Sequence, residues 1–84
     1  MTIVGWRQVV VNVLADRVGV LSDMVVEEVL EEMNLTENEM RIGLLGEFMK
    51  KLYSRLPEDI DRRKLIHEVR DKLIAEYHVL LARV

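Results

Sequence analysis

The side chains with the best spacing for chemistry in this sequence are His67, Asp71 and His78. His67 and Asp71 are four residues apart and therefore neighbours on one side of a helix, and imidazole and carboxylate are ordinary metal ligands. His67 and His78 lie roughly 16 Å apart along a helix axis, too far to share one ion. The pattern therefore favours a structural pair between His67 and Asp71, and we predict no metal and no cofactor.

Nucleophilic catalysis has little support. The chain has no cysteine, and its only serines are Ser22 and Ser54. Ser22 stands where a helix is expected to begin, so its hydroxyl is predicted to cap that helix. The carboxylates lie on polar helix faces, where burial does not tune a pKa for catalysis. We predict that the protein is not an enzyme.

An amphipathic helix is predicted over 23–33. Ser22 is its expected N-cap, and Asn34 is its expected end. Apolar residues recur at three- and four-residue steps inside this segment, while its glutamates fall on the opposite side. The pattern predicts one buried face and one acidic face.

A second amphipathic helix is predicted over 37–56. Thr36 and Glu39 form a T-x-x-E capping box at its start, and Pro57 ends it because the residue before a proline is pushed out of the helical region. Gly46 borders the apolar face, although glycine in a helix costs about 1 kcal/mol relative to alanine. A close approach of another helix at Gly46 would explain that cost.

A third long helix is predicted over 58–83, with about 36 Å of helix from Ile60 onward. Its apolar residues follow steps of three and four, close to a coiled-coil seam, and they are Ile66, Val69, Leu73, Tyr77, Leu80 and Val84. A single short neighbour would leave part of this stripe exposed, and soluble monomers rarely tolerate such a patch. The stripe therefore favours a partner subunit.

The segment 1–18 is open to two interpretations. Its apolar spacing fits a helix, but the valines between residues 4 and 13 favour a strand because they are β-branched. The helix is the favoured interpretation. Gly19 is expected to mark the turn into the next helix, and the segment is apolar over more than half of its circumference if helical. It should then be central to a core or an interface.

Composition points to a single domain that buries surface in an oligomer. The chain has 84 residues, half of them apolar, and a monomer of this size hides only about 60–65% of its unfolded surface. An isologous homodimer is the simplest solution. The net charge of −3 hides an acidic segment, residues 22–47, and a basic one, residues 48–84. These are complements within one chain or across a dimer.

Targeting signals and membrane spans are not expected. The apolar start of the chain is interrupted by Arg7 and Gln8 and has no basic region before it, unlike a secretory signal. No apolar run approaches the ~18 residues of a bilayer span. The expected location is the cytoplasm, with no membrane partner.

Nucleic-acid binding is the first alternative function. It would use the basic start of the last helix, namely Arg62, Arg63, Lys64 and Arg70. Acidic residues are interleaved with these bases, and a useful footprint needs an uninterrupted patch. Nucleic acid is therefore disfavoured as a partner.

The sequence as a whole predicts an all-α fold, with three to four helices in a small bundle that a second subunit completes. No motif resembles a known family closely enough to name one. The expected function is a non-enzymatic protein–protein interaction module, working as a homo-oligomeric adaptor, regulator or accessory subunit. The second alternative is an accessory subunit that folds only within a larger hetero-complex. The expected interface residues are Trp6, Val25, Val29, Met33, Ile66, Val69, Leu73, Tyr77 and Leu80.

Overall fold

Four α-helices and two 3-10 turns form the chain between residues 3 and 78, the part that this computed structural model describes. The helices are α1 (Trp6–Val18), α2 (Ser22–Met33), α3 (Ile42–Arg55) and α4 (Arg62–Tyr77), and the 3-10 turns are Gly19–Leu21 and Glu37–Glu39. Residues 3–78 contain no β-strand. The prediction of an all-α fold is confirmed.

The N-terminal segment is a helix, so the strand interpretation of its valines is wrong. Trp6, Val10 and Leu14 are buried on one side of α1 at four-residue spacing. Burial of this stripe outweighs the modest strand preference of β-branched residues. Gly19 ends α1 with φ 68°, a conformation that suits glycine, and so makes the predicted turn into α2.

The sequence prediction for α2 is wrong at the start of the helix and correct at its end. The helix includes Ser22, whose hydroxyl donates to the carbonyl oxygen of Gly19 at 2.7 Å, so the predicted N-cap role is wrong. Asn34 does end the helix, in the left-handed conformation with φ 57°. Its amide and that of Leu35 donate back to carbonyls of the last turn at 3.0 Å each, which is a Schellman motif.

The segment predicted as one helix over 37–56 is interrupted at Met40. The capping box of Thr36 and Glu39 is present, but it closes only the 3-10 turn Glu37–Glu39. Met40 is then extended and fully buried, and its carbonyl accepts the amide of Ile3 at 3.1 Å. Docking of Met40 into the core turns the chain before α3 begins at Ile42.

The last helix is shorter at its start than the predicted 58–83. Asp61 is the N-cap and accepts the amide of Lys64 at 3.1 Å, so α4 begins at Arg62 and the residues after Pro57 form a turn. The side chain of Asp61 accepts a hydrogen bond from an otherwise unpaired amide of the first turn, which Pro57 at a helix start would not do. The helix ends at Tyr77, and the predicted continuation over 79–83 falls outside the described residues.

Gly46 does not mark a close approach between helices. A Cβ built on Gly46 or on Gly43 would meet no atom within 4 Å outside its own helix backbone. The packing explanation for Gly46 is therefore wrong, and nothing in the structure explains the cost of Gly43 or Gly46 to α3.

The core closes within one chain. Helix α1 packs on α2 and α4, and α3 packs on α2 and α4. Trp6 meets Phe48 edge-to-face at 5.0 Å, and its indole donates to the carbonyl of Glu37 at 2.8 Å. The seam of α4 lies in this core, since Ile66, Val69 and Leu73 are all buried. The argument that this part of the seam needs a second subunit is therefore wrong, because α1 and α3 already cover it.

Candidate docking groove between α1 and α4

The structure places most of the predicted interface residues in the core of the chain. Five of them are at most 1% exposed, namely Trp6, Val29, Ile66, Val69 and Leu73. Val25, Met33 and Tyr77 are half-buried against the core, and Leu80 lies outside the described residues. In this fold the five buried residues pack in the core beneath α1, α2 and α4 and have no surface for a partner to contact.

The predicted nucleic-acid residues do not share one face. Arg62 stacks over the ring of Tyr53 at 4.8 Å, Arg63 and Lys64 are exposed, and Arg70 is half-buried beside Asp71 at 3.3 Å. Successive residues of a helix point about 100° apart, so Arg62, Arg63 and Lys64 fan around the start of α4. This arrangement does not give the uninterrupted basic patch that a nucleic acid needs.

The acidic side of α2 is met by bases of α3. Arg55 binds Glu28 at 2.7 Å and Glu32 at 3.0 Å, and Lys51 binds Glu32 at 3.2 Å. Hydrogen bonds from Lys51 and then from Arg55 hold the pKa of Glu32 below its ordinary value. The acidic and basic segments of the sequence are thus complements within one chain.

The first half of α2 is met by Arg7 of α1. Its guanidinium lies 3.2 Å from Asp23, 2.8 Å from Glu27 and 3.6 Å from Glu37. Burial opposes the charge of Arg7, but hydrogen bonds to Glu27 and Asp23 outweigh it and raise its pKa. Both halves of the acidic helix are therefore engaged by bases of the same chain.

A groove of about 620 Å³ runs between α1 and α4. Tyr77 reaches the carbonyl of Val4 at 2.6 Å, and Arg17 lies 3.9 Å from Glu68, so the two helices are antiparallel. The floor is apolar and the rim is polar; the lining residues are Val9, Asn12, Val13, Asp16, Glu68, Asp71, Lys72, Ala75 and Glu76. Val9 and Val13 are only half-buried. They lie beside the buried stripe of α1 and pack partly against the core.

The rim of the groove carries four carboxylates and one ammonium group. Glu68 and Asp71 have weak ion pairs, at 3.9 Å to Arg17 and 3.3 Å to Arg70. No basic group of residues 3–78 lies within 4.0 Å of Asp16 or Glu76. Burial, and then the charge of Glu76, raise the pKa of neighbouring Tyr77. The groove is therefore an apolar channel whose rim holds two acids, Asp16 and Glu76, without an ion-pair partner among residues 3–78.

Sequence reasoning missed this groove, although one signal for it was present. A helix that is apolar over more than half of its circumference has more apolar surface than one core contact covers. In α1 the partly covered apolar residues include Val9 and Val13, which line the groove. The acids of the rim come from two helices far apart in the sequence, so no local motif indicates them.

The predicted pair of His67 and Asp71 does not form. Both side chains are exposed, and Asp71 pairs with Arg70 instead. Within the described part of the chain, no three His, Asp or Glu side chains are grouped so as to hold a metal ion. The helices described there are also too short or too polar to cross a bilayer.

Comparisons of the chain with protein-family models, with curated proteins and with solved structures find no match. The surface of the molecule is therefore the basis for any functional proposal. On that surface the groove between α1 and α4 combines a cavity of about 620 Å³ with acidic side chains that no base of residues 3–78 pairs.

Proposed function

We propose that this protein is a non-catalytic protein-interaction domain, an adaptor or regulator, whose docking surface is the groove between α1 and α4. The observation that carries the proposal is the half-buried pair Val9 and Val13 on the groove floor. Trp6, Val10 and Leu14 of α1 are buried in the core, whereas folding leaves these two valines incompletely covered. A partner's apolar side chains would complete their burial.

The shape of the groove favours a macromolecular partner. The cavity is open along its length and lies between two helices, whereas small-molecule sites are concave and enclose most of their ligand. Its rim is polar and its floor apolar, as in protein–protein interfaces. The negative rim also repels the phosphates of a nucleic acid, so this groove supports the interaction function over the nucleic-acid alternative.

The direct test is to block the groove without disturbing the fold. Ala75 is exposed on α4 and lines the groove, so Ala75→Arg places a long side chain into it beside the rim acids. Ser54→Arg is the matched control, since it makes the same charge change at an exposed position of α3. Both variants should keep the wild-type melting temperature.

The three proteins are immobilised and incubated with native lysate, and retained proteins are identified by mass spectrometry. We expect partners that wild type and Ser54→Arg retain and that Ala75→Arg loses. Identical sets on all three proteins would overturn the groove as the docking surface. Sedimentation of the purified wild-type and Ala75→Arg proteins is measured in parallel. If wild type is a dimer and Ala75→Arg is a monomer, the occupant of the groove is a second copy of the chain.

A further inference from the structure

We infer that the occupant of the α1–α4 groove is a basic, amphipathic helix of another protein. The inference rests on the proposed function, because it names the chemistry of the partner for the same groove. Four features of the groove support it: its length, the hydrogen-bonded backbone of its walls, the negative charge of its rim, and the placement of Asp16 and Glu76 at helix ends.

The dimensions of the groove suit two turns of a helix. Its walls run from Val9 to Asp16 on α1 and from Glu68 to Glu76 on α4, which is roughly 10–12 Å at 1.5 Å per residue. A helix lying over two antiparallel neighbours presents a stripe at i, i+3, i+4 and i+7, and this stripe covers such a floor. Val9, Val13 and Ala75 are the floor positions it would meet.

An extended peptide would fit the groove less well than a helix. Both walls belong to α-helices, whose backbone amides and most of whose carbonyls, those before the last turn, bond within the helix. No sheet edge is present there to pair with an extended chain, which is the usual source of affinity for bound strands. A helical partner satisfies its own backbone and needs only side-chain contacts.

The rim selects a basic partner. The groove is lined by four carboxylates and by one basic residue, Lys72. Arg17 and Arg70 pair with Glu68 and Asp71, so the excess negative charge lies at Asp16 and Glu76. Lysine and arginine have long apolar stems and charged ends, so on both flanks of an apolar stripe they would cover the floor and reach Asp16, Asp71 and Glu76. Acidic flanks would meet charges of the same sign.

The positions of Asp16 and Glu76 argue that the rim charge is not there for folding. Asp16 lies in the last turn of α1, and Glu76 lies in the last turn of α4. The helix dipole makes negative charge unfavourable at this end, and no base among residues 3–78 lies within ion-pair distance of either. A basic partner supplies the neutralising charge that the fold lacks.

The test uses a designed probe. It is a fluorescein-labelled 15-residue helix of leucine, alanine and lysine, with leucines in an i, i+3, i+4, i+7 stripe and lysines on both flanks. Its counterpart has glutamate in place of every lysine. Fluorescence anisotropy at low ionic strength should show saturable binding of the lysine probe, at least about tenfold tighter than that of the glutamate probe, and weaker binding as salt screens the rim.

The double variant Asp16→Asn/Glu76→Gln tests the rim directly. Its matched control is Glu31→Gln/Glu47→Gln, which removes two exposed acids from other surfaces. We expect the rim variant to weaken the lysine probe by about fivefold or more and the control to change it less than about twofold. The melting temperature of the rim variant should rise by roughly 1–5 °C, since two unfavourable helix-end charges are gone.

Other results would overturn either the basic helix as occupant or the groove as docking surface. Equal affinity for the two probes, or equal weakening by rim and control variants, overturns the basic helix as occupant. If Ala75→Arg still loses lysate partners in that case, the groove remains a docking surface for an uncharged partner. If Ala75→Arg loses no partner, the proposed function itself fails.

Discussion

The face between α2 and α3 and the groove between α1 and α4 use acidic residues in opposite ways. On the α2–α3 face, Glu28 and Glu32 lie within 3.2 Å of Lys51 or Arg55. In the groove, Asp16 and Glu76 have no such partner among residues 3–78. The first set of charges joins two helices, whereas the second remains open to solvent.

The difference separates charges that serve folding from charges that do not. An acid paired with a base of the neighbouring helix adds to stability, although modestly at an exposed site. An acid in the last turn of a helix without such a partner subtracts from it. Neutralising an acid–base pair on the α2–α3 face should therefore destabilise the fold, and neutralising Asp16 and Glu76 should stabilise it.

The largest expected effect tests whether the core under the groove closes within one chain. Leu73 is fully buried on α4, so Leu73→Glu places a carboxylate in an apolar setting at a cost of several kcal/mol. We expect loss of cooperative urea unfolding followed by circular dichroism. Lys72→Glu, its exposed neighbour, should lose far less stability, because the new charge stays in solvent. A Leu73→Glu variant with the wild-type midpoint would show that this stripe is not core in solution.

The next effect tests the paired face. Arg55→Met removes the contacts to Glu28 and Glu32 while keeping an unbranched apolar stem. Because the side chain of Arg55 is 36% exposed, solvent screening limits the loss to about 0.5–1 kcal/mol. Lys50→Met on the same helix is the control and should change stability by less than about 0.3 kcal/mol. Equal effects would mean that the α2–α3 ion pairs do not stabilise the fold.

The glycines of α3 give an effect of the opposite sign. Neither Gly43 nor Gly46 has an atom near the place of a Cβ, and neither has a positive φ. Alanine at each position should raise the free energy of unfolding by about 0.5–1 kcal/mol, because it restricts the unfolded chain. Thermal unfolding of the two single variants measures this. A lower melting temperature for Gly46→Ala would restore the close-approach explanation.

The smallest effect concerns acid pH. Hydrogen bonds from Lys51, and then from Arg55, lower the folded-state pKa of Glu32. Hydrogen bonds from the backbone amide and the hydroxyl of Thr36 lower the folded-state pKa of Glu39. A lowered folded pKa stabilises the fold above the ordinary value of 4.5, and this stabilisation is lost as the pH falls through the folded pKa. The urea midpoint should therefore hold down to about pH 5 and fall below it. Lys51→Met should weaken this fall, and an unchanged pH profile would contradict it.

Much of the fold follows from local patterns in the sequence. The apolar periodicity predicted the buried stripes of α3 and α4, and Asn34 ended α2 as expected. Where local signals competed, the outcome depended on distant residues. The capping box of Thr36 and Glu39 formed, yet it closed only a 3-10 turn because Met40 docks into the core against Ile3.

The candidate site was less predictable than the fold. The sequence indicated that α1 carries more apolar surface than one contact can cover, but not where the surplus lies. It also suggested an interface at Ile66, Val69 and Leu73, which α1 and α3 cover instead. Helical periodicity identifies an apolar stripe and does not show what covers it.

By itself the sequence determined that this protein is helical and where its helices carry apolar stripes, because caps and apolar periodicity act over neighbouring residues. The tertiary structure alone decided which acids meet bases and which remain at a groove. The groove brings together residues as distant in the sequence as Asp16 and Glu76, and it exists only once α1 and α4 lie antiparallel. Long-range pairing depends on how the helices pack, which no local pattern encodes.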